Sequence, residues 1–479
     1  MEIHGKADFD VYANPIVSGN GSAILYDWSS NFVNGDSEYT YSFVNGYGYL
    51  STKSSNEKVE CMPPSEFQFD FLLSLLNTAT PIPSASVGDE VVECTSGKLF
   101  MTPVSGSQFA ICSSDKAGFM VYSSDWTVEV NYLAQPVQIS APKLSEGTVC
   151  DPIATPTSVT PTALALLTGT SVPTSTSRQL EAAAHMSIEA SSCGCKSTPR
   201  PCIFLHGLGC PNERAELQDT PELTNEKFGD IGDHAPCCST VKYAVMNTID
   251  VKWTNDTLQQ KFCDFSLSMS ETSDTAAGSI ADTIIVTHSM GGLVMASALA
   301  TGKCKFEEST TWVSLSAPML GSMAGDYITE LCRGDHTKIV AGVLDLLGQC
   351  PATISKKSVS YQNGKHSSPK TNAAYTAAQE AYRGNVSAAI CSKSYHGIFS
   401  KFTPSCLVGG SVIPHKSKEN DALVEFQSCL GGLDPELFGD SYRDRFYGAK
   451  LNHADTGFLT RDGLFKDSQK PFKWFECLL

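Results

Sequence analysis

From residue 200 onward the chain alternates short apolar runs with amphipathic stretches, and that rhythm admits few architectures. "PCIFLHGLG", "VKYAVMNTI", "DTIIVTHSMGG", "TTWVSLSAPM" and "PSCLVGGSVI" read as five strands. Helical segments such as "LVMASALATG" lie between them. Near-continuous apolar strands separated by helices predict a mostly parallel sheet covered on both faces, an α/β domain. Between the fourth and fifth runs lie about 90 residues, far more than an ordinary crossover needs. This stretch includes the amphipathic "KIVAGVLDLLGQC" and "NAAYTAAQEAYRGN", so a helical cap is expected over about 322–402.

A chain of 479 residues exceeds one ordinary domain. Residues 1–150 carry short aromatic and β-branched runs, among them "SAILYDW", "EYTYSFV", "KLFMTPV" and "GFMVYSS", punctuated by Gly, Asn, Ser and Asp. They predict a separate all-β accessory domain, with one apolar stretch, "SEFQFDFLLSLLNTA", as a helix packed on it. Its plain reading is a stabilising module and its sharper reading a lipid- or glycan-binding one; its ligand is unknown. Residues 151–192 turn rich in Ser, Thr, Pro and Ala, the composition of a linker. The α/β domain then spans 193–479.

Formal charge is −17, and residues 1–150 account for −11 of it, with six Lys/Arg against seventeen Asp/Glu. That balance argues against nucleic acid and anionic membrane surfaces as partners, which need basic patches. Of eighteen cysteines, four precede residue 151 and fourteen follow it, so each part can close its own disulfides. No C-x-x-C pair occurs, which disfavours a thiolate metal site. Sequons at Asn20, Asn255 and Asn385 are candidate glycan sites. No run approaches a membrane span and "MEIHGKADFDVY" lacks an apolar core. A secreted protein whose signal lies outside this sequence is the expectation.

Ser289 stands in "TIIVTHSMGGL", between a buried strand and a helix. A sharp turn there lifts a serine hydroxyl to the carboxyl edge of the sheet, as in G-x-S-x-G elbows. Gly291 and Gly292 supply the small residues behind it, while Thr287 occupies the first glycine position. A serine needs a base, and a base needs an acid to fix its tautomer. Such folds order them serine, acid, histidine. Of ten histidines only His453, in "KLNHADTGF", follows both a late strand and a late acid. Asp421, in "ENDALVEF" after the fifth run, is the preferred acid, and Asp434 the alternative. The backbone N–H groups of Met290 and of Leu208, in the "LHGLG" turn, are the candidate oxyanion donors.

"FLHGLG", "THSMGG", "NDALVEFQSCLGG" and "LNHADTGF" together resemble the α/β-hydrolase lipases, and the last two are most similar to secreted bacterial triacylglycerol lipases. The resemblance covers about residues 200–460 and leaves residues 1–150 without a family. It implies an α/β-hydrolase fold, a Ser289–Asp421–His453 triad, an oxyanion hole at Leu208 and Met290, and a lipid or other acyl-ester substrate. It implies no organic cofactor. Ala422 replaces the glycine that those lipases carry after the acid, and Asp455 stands where they place a calcium ligand. "HSMGG" is also similar to inositol deacylases of glycolipid-anchored proteins. Thioester or amide cleavage on the same triad, and a surface- or lipid-binding protein with an inactive hydrolase domain, are the competing readings.

Overall fold

The computed structural model describes residues 6, 8–53, 57–62, 73, 75–88, 90–96, 98–104, 107–114, 116–124, 126–145, 147–173, 186–188, 193–333, 346–463 and 466–479. The chain divides into two compact units, 1–192 with 464–466, and 193–463 with 467–479.

The first unit is mostly antiparallel. Strands Tyr12–Val17, Ala23–Asn34, Ser37–Val44, Tyr47–Lys53 and Glu57–Cys61 pair in sequence order. Along Ala23–Asn34 the buried residues Ile24, Tyr26, Trp28, Ser30 and Phe32 alternate with outward ones, the period of a sheet with one covered face. Asn45 and Gly46, both at positive φ, make the tight turn between the third and fourth strands. A second sheet joins Thr127–Asn131, Gly118–Tyr122, Ser107–Ser113, Leu99–Val104 and Thr80–Pro81. Disulfides Cys61–Cys150 and Cys94–Cys112 close within this unit. Most of "SEFQFDFLLSLLNTA" lies outside the described residues. The linker expected from 151 is shorter than its composition suggests: Thr157–Ser158 pairs with Ala23 and Ile24, and helix Pro161–Thr168 buries Ala163, Ala165, Leu166 and Leu167. The apolar "ALALL" gives that segment enough area to pack, which Ser/Thr/Pro content alone hides.

The second unit is built on a seven-stranded parallel sheet. Its strands are β1 (Arg200–Leu205), β2 (Cys238–Ala244), β3 (Ile284–His288), β4 (Thr311–Leu315), β5 (Ala388–Ile390), β6 (Phe438–Gly439) and β7 (Phe446–Tyr447). They run in the order β2-β1-β3-β4-β5-β7-β6, every neighbouring pair parallel. Helices follow as α1 (Asp256–Leu267), α2 (Met290–Ala300), α3 (Met323–Leu331), α4 (Ile354–Ser358), α5 (Pro369–Asn385), α6 (Thr403–Val412), α7 (Phe426–Leu430), α8 (His453–Thr456) and α9 (Pro471–Leu478). Ile203, Leu205 and Ile285 pack on one face with α1, α2 and α5. Phe204, Val286, Val313, Leu315 and Ile390 pack on the other with Phe458, Phe472 and Trp474. Both faces are covered, so both sets of alternate residues are apolar, and the strands read as unbroken apolar runs.

Two boundaries differ from the sequence reading. "PSCLVGGSVI" is not a strand but helix α6, and the fifth strand is β5, upstream. A short apolar run does not distinguish strand from buried helix, and the two glycines suit close packing: a Cβ on Gly410 would collide with the Tyr395 ring. The cap is also narrower than 322–402. Helix α5 belongs to the layer over the sheet, where Tyr375 meets Trp253 and Tyr382 meets Trp312. The remaining cluster joins α3, Leu347 and Ala352 to Val408, Val412 and Ile413. Most of "KIVAGVLDLLGQC" lies outside the described residues.

Twelve of the fourteen later cysteines pair, as Cys193–Cys477, Cys195–Cys237, Cys202–Cys238, Cys263–Cys304, Cys332–Cys350 and Cys391–Cys429. Cys210 and Cys406 remain free and buried. An even count permitted full pairing, but these two thiols are spent on packing instead.

Candidate active site

The strand order reverses between β1 and β3, and ligands of open parallel sheets bind at the carboxyl edge of such a point. Two turns meet there. Ser289 follows β3 with φ 55° and ψ −132°, a positive-φ conformation that a non-glycine residue holds at a cost of about 1–3 kcal/mol. Its N–H donates to the Leu315 carbonyl at 2.9 Å, and α2 starts at the next residue. The turn after β1 nests against it. A Cβ on Gly291 would lie 2.6 Å from the Leu205 carbonyl oxygen and 2.8 Å from that of His206. A Cβ on Gly207 would lie 2.8 Å from the Ser289 Cβ and 3.1 Å from the Met290 nitrogen. Only glycine permits this approach.

Thr287 does not crowd the elbow. Its hydroxyl accepts the indole N–H of buried Trp312 at 2.9 Å, a bond no glycine could make. Gly292 is required by a different neighbour: a Cβ there would lie 2.5 Å from the Ala317 Cβ, but 3.6 Å from the Thr287 hydroxyl.

Asp421 and His453, 32 residues apart in sequence, are hydrogen-bonded through Oδ2 and Nδ1 at 2.8 Å. Both are buried. The other Asp421 oxygen accepts the N–H groups of Leu423 and Val424 at 3.0 and 2.7 Å, and its carbonyl accepts the His453 N–H at 2.9 Å. Burial pushes the Asp421 carboxyl up, but His453 and these N–H donors outweigh it and hold the group below the ordinary carboxylate value. Asp421 therefore stays ionised beside a ring whose Nδ1 carries the proton. The Ser289 hydroxyl has no hydrogen-bond partner among the described residues; nucleophile–base contacts commonly tighten only around substrate. Asp434, the alternative acid, is exposed and caps the short helix Pro435–Leu437.

The "NHAD" segment is a capping box. Asn452 accepts the N–H groups of Ala454 and Asp455 at 3.0 and 3.1 Å, and Asp455 Oδ2 accepts the Asn452 N–H at 2.9 Å. His453 is thereby fixed as the first residue of α8. Asp455 also accepts the Ile398 N–H at 2.8 Å and the Thr460 hydroxyl at 2.6 Å. Burial raises its carboxyl to about 7. Both Asp455 oxygens are thus engaged by donors of the protein itself, and no group of three His, Cys, Asp or Glu converges among the described residues. Asp455 ties the histidine loop to residue 398.

Three further residues arrange the site, and sequence order hid them. His288 is buried, and burial followed by the proximity of His453 holds its pKa well below normal. Its Nε2–H donates to the His453 carbonyl at 3.1 Å, with the two rings 4.7 Å apart. His206 is likewise kept neutral by burial, with its pKa lowered to about 4. Its Nε2 accepts the Met246 N–H at 3.1 Å, which leaves the proton on Nδ1 to be donated to the Gly207 carbonyl at 2.8 Å. The Thr248 hydroxyl donates to the same carbonyl at 2.9 Å. A trans peptide opposes its C=O and N–H, so these two bonds turn the Leu208 N–H the other way. Neither Leu208 nor Met290 donates its N–H to any described residue, as an oxyanion site requires.

The three sequons are exposed, at Asn20, Asn255 and Asn385. Asn255 also caps α1.

No known protein family matches the chain, and no curated protein matches it. Among solved structures it is similar to a puromycin hydrolase, at 12% identity over 68% of this chain and 54% of that one, with a TM-score of 0.14. The chain spans about half the length of that protein, and a likeness this slight carries no argument.

Proposed function

We propose that the second unit has the α/β-hydrolase fold and that the chain is a serine hydrolase of carboxylic esters, with lipid acyl esters the favoured class. The observation that carries the reading is the ionised Asp421 on His453 Nδ1 beside the strained Ser289 elbow. In this mechanism Ser289 Oγ attacks the ester carbonyl while His453 Nε2 takes its proton. Asp421 stabilises the imidazolium and is not itself protonated. The Leu208 and Met290 N–H groups receive the oxyanion. His453 then protonates the departing alcohol, leaving an acyl ester on Ser289. Water, deprotonated by the same histidine, releases the acid and restores the hydroxyl. The route needs no organic cofactor.

Eight disulfides support an oxidising, extracellular setting. No helix among the described residues is long and apolar enough to cross a membrane. Glycans at the exposed sequons fit the same setting.

The test is a panel of 4-nitrophenyl esters of increasing acyl length, run beside matched thioesters and anilides. Ester turnover that vanishes in His453→Gln is the expected result. Faster thioester or anilide cleavage would reassign the acyl chemistry, and no turnover of any of them would favour a binding protein.

A further inference from the structure

A strap of five residues, 225–229, crosses the site in an unusual conformation. Asn225 and Glu226 are consecutive non-glycine residues at φ 57° and 55°. Such strain persists only where the surroundings impose it, and it concentrates at ligand sites. At the far end Phe228 packs on the His288 ring at 5.7 Å, and Gly229 lies so close to the Phe458 carbonyl that no side chain fits. Between these anchors the left-handed pair splits two neighbouring charges. Glu226 turns outward to Lys401, 2.6 Å from Oε1 to Nζ. Lys227 turns inward, and its Nζ lies 3.5 Å from where a Gly209 Cβ would be, beside the turn that carries Leu208.

The Lys227 ammonium is half-buried and has no ion pair or hydrogen bond among the described residues. Of the acidic groups beside it, Glu226 is engaged on Lys401, and burial raises the Cys210 thiol, which favours its neutral form. Lys356, from α4 in the cap cluster, is the second such cation. It is half-buried, without a partner for its ammonium among the described residues, and within electrostatic reach of Lys227. Burial depresses both lysines, and at Lys356 the charge of Lys227 depresses it further. Two half-buried, unpaired cations are costly to keep in any protein. They are more unexpected in a chain of formal charge −17, which has acids to spare for pairing.

We propose that the ester cleaved at Ser289 carries an anionic group, a carboxylate, sulfate or phosphate, received by the ammonium groups of Lys227 and Lys356 beside the Gly207–Gly209 turn. This rests on the ester-hydrolase reading above and narrows its substrate class. The negative charge of the rest of the molecule disfavours anions in general, so the pair of lysines supplies selectivity rather than steering from afar.

Two matched pairs of esters test it and distinguish which half bears the anion. 4-Nitrophenyl hexanoate is compared with the mono-4-nitrophenyl ester of adipic acid, and phenyl butanoate with its 4-sulfonated phenyl ester. The expected result is a kcat/KM favouring one anionic ester over its neutral match by about tenfold or more, the scale of one charge-assisted contact. That ratio should fall to near unity in Lys227→Met, fall in Lys356→Met and survive in Lys227→Arg. In the wild type it should shrink as salt is raised, which needs no variant to fold. Equal or lower kcat/KM for both anionic esters, or a preference unchanged in the Lys227→Met/Lys356→Met double variant, would overturn the proposal while leaving the hydrolase reading intact. A protein that cleaves none of the four esters and takes no fluorophosphonate on Ser289 overturns both.

Discussion

Thr287→Gly restores the glycine of the usual elbow pattern, and the structure predicts that it weakens the fold while sparing the elbow. The Thr287 hydroxyl is the acceptor for the Trp312 indole N–H, at 2.9 Å and fully buried. Removing it strands a buried donor, at about 1–3 kcal/mol. A glycine within β3 adds roughly 0.5–1 kcal/mol of backbone entropy. The expected loss is therefore about 2–4 kcal/mol, large but short of the ~5–15 kcal/mol that holds typical domains together. Thr287→Ser keeps the acceptor and loses one buried methyl, for about 1 kcal/mol. Urea unfolding followed by tryptophan fluorescence, with fluorophosphonate labelling as a second probe, separates the variants. The order wild type, Ser, Gly is expected, with both variants labelled at wild-type rate below their transitions. If Thr287→Ser unfolds as early as Thr287→Gly, the Trp312 bond is not what Thr287 contributes. If Thr287→Gly is folded yet unlabelled, Thr287 shapes the elbow after all.

Three other outcomes follow from the same geometry. Gly291→Val drives a branched side chain into the Leu205 and His206 carbonyl oxygens, and is expected to yield no soluble labelled protein, since backbone rather than a flexible side chain must move. Thr248→Val keeps the volume but frees the Gly207 carbonyl from one of its two donors; kcat should fall about tenfold with little change in KM, read from ester kinetics. Asp455 is raised from an ordinary carboxyl value to about 7 by burial, so its neutral form favours the folded state. Its contribution is complete below pH ~4 and is lost as pH rises through ~7, a swing on the order of 4 kcal/mol. In Asp455→Asn the melting temperature should lose that slope between pH 4 and 7, and a slope unchanged from wild type would assign it to another group.

What the sequence made legible follows from which interactions are local. Strands β1 to β4 and the elbow announce themselves because a doubly covered strand needs apolar residues on both faces, and chain order selects His453 for Ser289 and narrows the acid to Asp421 or Asp434. The capping box of Asn452 and Asp455 is equally local, yet Asp455 alone reads as a calcium position by resemblance, and only the Ile398 and Thr460 contacts show where its oxygens go. Ala422, which stands where the resembling lipases carry glycine, has φ 85°, so the pattern identified a backbone requirement that this chain meets under strain. Other features were hidden because their partners are distant. His206 and His288 could be set aside as turn residues because nothing in their neighbours names Met246 or the His453 carbonyl. Helix α6 was hidden by its length, since ten apolar and small residues suit either secondary structure.

The proposed hydrolase activity depends most on Ser289 being a nucleophile activated by His453. Wild-type protein, Ser289→Ala and His453→Gln should be treated with a fluorophosphonate, digested and mapped by mass spectrometry. A single phosphonyl adduct on Ser289 of the wild type, none in Ser289→Ala and labelling slowed at least a hundredfold in His453→Gln is the predicted result. A wild type that takes no adduct, or takes one equally in all three proteins, would contradict it.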